Sequence, residues 1–239
     1  MARTATGTYG GVSAEQRRAE RRRRLLDAAL DSIGTKGWSA TTLRGICERA
    51  KVGPRFFYES FADLDELAAA LHEELFDTAM RHTLEAIAAA PDELTARTAA
   101  AFSTMIAEIV DDPRRARVLF AEAYGSAALM QRRFAAMRTI ARVVVEQSHD
   151  LLELPPDGER TLRAISLLLT GGVTEFVLAW LDGGLDISRD ELVDISVDYA
   201  LTMGNALPAM ARRLTGSAPP APLAPLAPPA PLAPPAPAR

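Results

Sequence analysis

The sequence predicts an all-α protein of about nine helices, with a small N-terminal three-helix domain ahead of a larger helical domain. Ala and Leu dominate its 239 residues, and both favour helices. Apolar residues recur at helical spacing along most of the chain, with Gly and Pro between the periodic stretches. Charge is divided as well: residues 1–62 contain twelve Lys or Arg and six acidic residues, whereas the whole chain carries a net charge of −4. A basic head on an acidic body indicates a polyanionic partner for the head.

Residues 41–60, TTLRGICERAKVGPRFFYES, organise the head and predict two short helices joined by a tight turn. Thr41 or Thr42 can cap the first helix, because its hydroxyl accepts a hydrogen bond from an unpaired backbone N–H. Gly53 permits the turn, and Pro54 suits the first turn of the next helix, where its missing N–H costs nothing. The pattern therefore predicts a helix-turn-helix.

The second of these helices is short, from about residue 54 to residue 59, and it carries both basic and aromatic side chains. We expect Phe57 to point inward, which leaves Arg55, Phe56 and Tyr58 for the other faces. A helix of this kind can enter the major groove of DNA. The alternatives are a helical hairpin that only packs and, for Phe56, a place in the core of the head.

Over residues 14–67 the chain resembles the TetR family of transcription regulators. The resemblance is carried by Gly37, Thr41, Thr42, Ile46, Val52, Phe57, Tyr58 and Phe61. It implies a homodimer that binds double-stranded DNA through Thr41, Thr42, Arg44, Gly53, Pro54, Arg55, Phe56, Tyr58 and Ser60. Arg55 and Phe56 suit base edges, and Thr42 and Tyr58 suit phosphates. Three positions depart from the family pattern: Gly53 stands where many members have Ser or Thr, Ser60 is a short donor, and Leu64 cannot bind phosphate.

Four segments follow from the pattern: an arm over 1–12, the head over 13–62, the body over 63–214 and a tail over 215–239. The arm is either a frayed terminus or an extended segment from which Arg3 reaches a minor groove of DNA. Ser13 can cap a first helix that ends near residue 35, and the arginines near its start either touch phosphates or remain solvated. The tail is rich in Ala and Pro, which predicts solvated polyproline II and no packed core.

In the body the periodicity predicts helices over 64–90, 93–110, 114–124, 127–154, 158–181 and 188–213. The helix over 158–181 is apolar on nearly every side, which favours a buried helix over a membrane span because Glu175 and two glycines interrupt it. The last helix carries two apolar stripes, of which one can face a second copy of the chain. The predicted dimer interface comprises Phe176, Leu192, Ile195, Tyr199 and Met203; the alternative is an internal helix pair in a monomer.

The sequence contains no catalytic or metal-binding motif, which predicts a protein that is not an enzyme and needs no cofactor. Its three histidines are dispersed, and the single Cys47 excludes an internal disulfide and fits the cytoplasm.

The family resemblance also implies a small-molecule effector that binds in the body. Candidate lining residues are Phe102, Met105, Phe120, Tyr124, Phe134, Met137, Thr170, Glu175, Phe176 and Trp180. Glu175 is a polar residue in an apolar helix, and a buried Glu needs a partner, either an Arg of the body, the other subunit or a ligand. The function predicted overall is a homodimeric repressor that an apolar ligand releases from a palindromic operator. The alternative is a helical module that binds a protein partner.

Overall fold

The computed structural model describes residues 13–149, 154 and 158–215, without the side chains of Tyr124, His149 and Thr215. The predictions for the arm, for the turn at 155–157 and for the tail beyond residue 215 lie outside the described residues.

The prediction of an all-α fold is confirmed, since the described ranges form nine α-helices and no strand. The helices are α1 (Ala14–Lys36), α2 (Leu43–Ala50), α3 (Pro54–Tyr58), α4 (Leu64–Ala89), α5 (Leu94–Val110), α6 (Pro113–Ala116), α7 (Ala127–His149), α8 (Gly158–Leu181) and α9 (Arg189–Thr215).

The head comprises α1, α2, α3 and the start of α4. Ser13, Thr42 and Asp63 cap α1, α2 and α4, each by accepting a hydrogen bond from a backbone N–H three residues further on. Its core is closed by fully buried side chains from all four helices, among them Leu25, Ile46, Phe57 and Leu67. Because α4 starts in this core and continues into the body, it belongs to both parts of the chain.

In the body, α5 packs between α4 and α9, and α8 packs between α7 and α9. A second apolar cluster joins these helices and is centred on Ile106, Leu119 and Leu192. By length and composition α8 could cross a membrane, the one described helix of which this is true. In the structure one side of α8 is buried in the bundle and the other side is exposed, so the helix is less buried within the chain than predicted.

The helix predicted over 114–124 is interrupted. After α6 the chain forms a π-helical turn over Arg117–Ala121 and a 3₁₀ turn over Glu122–Gly125. This junction lies against α1: Arg114 pairs with Asp31 at 3.3 Å, and the Glu122 carboxylate accepts a hydrogen bond of 2.8 Å from the backbone N–H of Trp38. Turns of π geometry depart from helical periodicity and are concentrated at functional sites.

Candidate nucleic-acid interface and cavity

The turn between α2 and α3 is held in place by a side chain from α1. Lys51 ends α2 in the left-handed conformation with φ of 51°, and Pro54 opens α3 at its first position. The guanidinium of Arg24 donates hydrogen bonds to the carbonyls of Ala50 and Lys51, the latter at 2.9 Å. These bonds satisfy two carbonyls at the end of α2 and fix the angle between the two helices.

One face of α3 is anchored and the other is free to meet a partner. Phe57 is fully buried and packs against Phe61, with their ring centres 5.8 Å apart. Phe56 is 41% exposed and Tyr58 is 61% exposed, and Arg55 is exposed as well. The alternative that Phe56 belongs to the core is therefore wrong.

The arginines of α1 brace α3 from the side. The side chain of Arg18 donates a 2.7 Å hydrogen bond to the carbonyl of Glu59, and Arg21 pairs with the carboxylate of Glu59 at 3.4 Å. The guanidinium of Arg21 also lies 4.5 Å from the centre of the Phe56 ring. Cation–π contact of this kind keeps an exposed ring in one orientation. These arginines thus position the exposed helix and leave part of their charge beside it.

Among the other predicted contact residues, Thr41 requires a correction. Its hydroxyl donates a 2.9 Å hydrogen bond to the carbonyl of Gly37 and lies 3.2 Å from the hydroxyl of Ser32, so it is used inside the head. Thr42 is exposed, and its oxygen caps α2 while its O–H remains able to donate outward. Arg44 is exposed and paired with Glu48 at 2.8 Å.

The last two predicted residues, Gly53 and Ser60, bracket α3. Gly53 is exposed as the N-cap of α3, with an ordinary negative φ, and Ser60 is half-buried just beyond the end of that helix.

A cavity of about 190 Å³ lies in the body between α4, α5, α7, α8 and α9. Phe102, Met105, Phe120 and Thr170 line it, as predicted from the sequence. The hydroxyl of Thr170 donates a 2.7 Å hydrogen bond to the carbonyl of Ser166 in its own helix. The cavity wall is otherwise mostly aliphatic.

Five predicted lining residues do not line the cavity. Phe134 is 51% exposed, and Met137 contacts α8 beside Gly171. Phe176 and Trp180 pack in the cluster around Ile106 and Leu192 instead. The fifth is Glu175, and the side chain of Tyr124 lies outside the described part of the chain.

Glu175 is exposed rather than buried: 62% of its side chain is accessible. Its carboxylate binds the guanidinium of Arg133 in α7, of which only 7% is accessible. The expected partner from the body therefore exists, but the buried member of the pair is the arginine. The buried guanidinium has lost its water and depends on this carboxylate, whereas the exposed carboxylate remains hydrated.

Large apolar side chains are exposed on both α8 and α9. Leu167 is 49% exposed, Leu168 is 65% exposed, Ile195 is 46% exposed and Tyr199 is 41% exposed. Two residues of the predicted interface require correction, because Leu192 is fully buried within the chain and Met203 lines the cavity. Phe176 is half-buried in the core of the body.

Cys47 and His72 are buried titratable groups. Burial raises the pKa of the Cys47 thiol and lowers the pKa of His72. The Nε2 atom of His72 lies 3.2 Å from the carbonyl oxygen of Leu119 in the π-helical turn. We expect a neutral imidazole and an unreactive thiol. Within the described ranges, no three His, Cys, Asp or Glu side chains are grouped so as to hold a metal ion.

Known proteins share both parts of this architecture. Residues 25–71 match the sequence model of the bacterial regulatory proteins of the tetR family. A TetR-family transcriptional regulator from Syntrophomonas wolfei is 16% identical, with a TM-score of 0.66 over 78% of this chain and 96% of its own. A transcriptional regulator from Pseudomonas aeruginosa is 18% identical, with a TM-score of 0.67 over 84% of this chain and 96% of its own. FadR from Bacillus halodurans, a fatty acid degradation regulator, is 14% identical, with a TM-score of 0.63 over 79% of this chain and 94% of its own. At such identities these likenesses show the fold.

The fold and the α2–α3 unit define a helix-turn-helix protein with an all-helical body. The resemblance to the TetR family is confirmed over the head, where residues 25–71 match that family's sequence model, and the described chain has the fold of TetR-family transcriptional regulators.

Several residues with a role in these sites are absent from the sequence predictions. Arg24 clamps the turn, Asp31 and Arg114 join the head to the body, and Arg97 and Ser166 line the cavity. Arg24 stands in a run of four arginines, so no local signal distinguishes it. Ser166 could have been found by the signal that singled out Thr170, because both are polar residues in an apolar helix.

Proposed function

We propose that the protein is a homodimeric repressor that binds a palindromic operator and releases it when a small apolar ligand occupies the body. The observation that carries the proposal is the construction of α3. Its inward side is locked by Phe57, while Arg55, Phe56 and Tyr58 are exposed on a helix that α1 braces. Exposed basic and aromatic side chains on a fixed short helix are suited to the major groove.

In and around α3, some side chains suit the recognition of bases and others suit phosphate contacts that orient the protein. Arg55 carries a fork of N–H donors that matches a guanine, and Phe56 offers an apolar surface to a thymine methyl group. Thr42 and Tyr58 offer hydroxyls to phosphate oxygens, which orient the protein without reading sequence. Arg44 and Ser60 supply further phosphate donors, and Gly53 and Pro54 bring the start of α3 close to the groove.

Dimerisation through α8 and α9 accounts for their exposed apolar face. Leu167 and Leu168 on α8 and Ile195 and Tyr199 on α9 form a surface that a second copy would cover in a four-helix bundle. A two-fold dimer places two copies of α3 on successive major grooves, about 34 Å apart. A palindromic operator follows from that symmetry.

Release depends on a route from the cavity to the head. Phe120 lines the cavity and belongs to the π-helical turn, which also contains Arg117. Arg117 donates a 3.4 Å hydrogen bond to the carbonyl of Thr35 in α1, and Arg114 pairs with Asp31 in the same helix. A ligand that displaces Phe120 would therefore shift the junction against α1. Ligand and operator then select different spacings of the two heads.

The experiment is a titration of DNA fragments from upstream of the gene, measured by fluorescence anisotropy at several salt concentrations. We expect tight binding to one fragment and a steep loss of affinity with salt, because each phosphate contact releases counterions. Equal, weak binding to every fragment would contradict sequence-specific recognition. Salt-independent association with a protein partner, and none with DNA, would support the alternative of an interaction module.

A further inference from the structure

The cavity is an elongated slot. Its lining on α5 extends from Leu94 to Ile109, a length of about 22 Å at 1.5 Å per residue. The opposite wall on α8 extends over an equal number of residues, from Leu162 to Val177. The end nearest the head lies at Phe120, next to the junction with α1. A molecule that fills this slot is long and narrow.

The end remote from the head is where α5 and α8 begin and where α7 and α9 end. At this end the lining includes Thr98, Gln147 and Ser148. A Cβ placed at Gly204 of α9 would lie 3.9 Å from the side chain of Leu94, so the start of α5 lies against the C-terminal half of α9. The polar side chains therefore gather at one end of the slot.

Along the rest of the slot the hydroxyl groups are already satisfied. Thr83, Thr170 and Thr174 each donate a hydrogen bond of 2.7 to 2.8 Å to the backbone carbonyl four residues earlier in the same helix. Such threonines present their methyl groups to the cavity. The middle of the slot and its end at Phe120 therefore present apolar surface to a ligand.

Two polar atoms near the remote end lack a partner. The hydroxyl of Ser166 is buried without a hydrogen bond in a residue that is 1% exposed, and it lies one helical turn from the start of the lining on α8. The Nε of Arg97 is also buried without a hydrogen bond, although another nitrogen of its guanidinium pairs with Asp92 at 2.9 Å. Buried polar atoms in folded proteins are nearly always bonded, so two orphans in one cavity mark a place for a ligand.

The charge of that ligand follows from Arg97, which is the one charged residue among the described residues that line the slot. No described acidic side chain lines it to receive a cation. We infer that the slot binds an elongated amphiphile with a single carboxylate-like head, the head held by Arg97 and Ser166 and the apolar chain directed toward Phe120. This inference rests on the proposed function, because it names the class of effector and the residues that select it.

The test is calorimetric titration of the full-length protein, without DNA, with dodecanoate, 1-dodecanol and dodecyltrimethylammonium below their micelle-forming concentrations. We expect dodecanoate to bind at least about tenfold more tightly than the cation, because only the anion can pair with Arg97. Affinity should rise from octanoate to dodecanoate as more methylene groups leave water. Equal affinity for the anion and the cation would overturn the inference.

Variants identify the head-binding residues. Arg97→Gln should lower dodecanoate affinity about tenfold and leave that of dodecanol unchanged, and Arg97→Lys should restore part of it. Arg81→Gln is the matched control, since Arg81 is exposed on α4 and pairs only weakly with Glu85 at 3.9 Å. Ser166→Ala should also weaken dodecanoate binding, while the melting temperature without ligand is unchanged or higher because an orphan hydroxyl is removed. Undiminished binding of dodecanoate by both Arg97→Gln and Ser166→Ala would overturn the assignment.

A second readout separates this inference from the proposed function. If dodecanoate binds in a manner that depends on Arg97 but leaves DNA affinity unchanged, the slot assignment stands and the proposed release mechanism fails. If no amphiphilic anion binds while another small molecule releases the DNA, the inference fails and the proposed function stands.

Discussion

In the head, the functional side chains are exposed and are held from behind by a filled core and by arginines, whereas in the body they surround a space that is only partly filled. Phe57 is fully buried in the head, while Phe102 is half-buried on the wall of the cavity. A rigid support suits a surface that must match DNA, and an unfilled interior leaves room for a ligand. We therefore expect that removing an aromatic ring from the core of the head costs more free energy of unfolding than removing one from the cavity wall.

Replacing an aromatic residue in each part gives the largest expected contrast. Phe57→Ala should lower the free energy of unfolding by about 3–5 kcal/mol, because a close-packed site cannot collapse around the lost ring. Phe102→Ala should cost less than half as much, since one side of its ring already faces the cavity. Urea denaturation of both variants measures the difference. Equal losses would show that the slot is as tightly packed as the head.

Introducing a charge among the exposed apolar residues of α8 and α9 tests whether they form the proposed dimer interface. Leu168→Glu and Ile195→Glu should each convert the proposed dimer to monomers, because an unpaired carboxylate would be buried in the interface. Leu84→Glu, on an exposed position of α4, is the control with the same change of charge. Sedimentation velocity at micromolar concentration provides the measurement. A wild-type protein that is monomeric under these conditions would contradict the dimer.

His72 gives a smaller effect that depends on pH. In the unfolded chain its pKa is near 6.5, and burial lowers it in the folded chain, so below about pH 6.5 the unfolded chain binds the proton first. The free energy of unfolding should therefore fall as the pH drops from 7 toward the lowered folded pKa. His72→Gln keeps a donor for the carbonyl of Leu119 and should lose less stability between pH 7 and pH 5.5. Parallel pH profiles of the two proteins would contradict this account of His72.

The head could be predicted almost residue by residue, because its signals are local. Thr42, Pro54 and Phe57 each act within a turn of their own position, as a cap, a first-turn residue and a core anchor. The exception is Thr41, whose hydroxyl bonds to Gly37, a contact that depends on the path of the chain after α1.

In the body the helices could be predicted from the sequence, but which side of each helix faces the interior could not. The apolar side chains of α8 cover most of its circumference, so periodicity alone does not say which side meets α7, α9 or the outside. Glu175 of α8 is exposed for that reason, and Phe134 of α7 is exposed although the sequence predicts that it faces inward. Leu192 is buried although it is the first residue of the predicted stripe that Ile195 shares. The slot depends on five helices at once, and no single helix carries its pattern.

Whether α3 reads DNA sequence is decided by the ratio of operator affinity to random-DNA affinity at a fixed salt concentration. Arg55→Ala should cost about 1–3 kcal/mol on the operator and much less on random DNA, so the ratio falls toward one at the affected base pair. Tyr58→Phe is the matched comparison, because loss of a phosphate contact should weaken both DNAs by similar factors and preserve the ratio. A ratio unchanged by Arg55→Ala would contradict the assignment of Arg55 as a base reader.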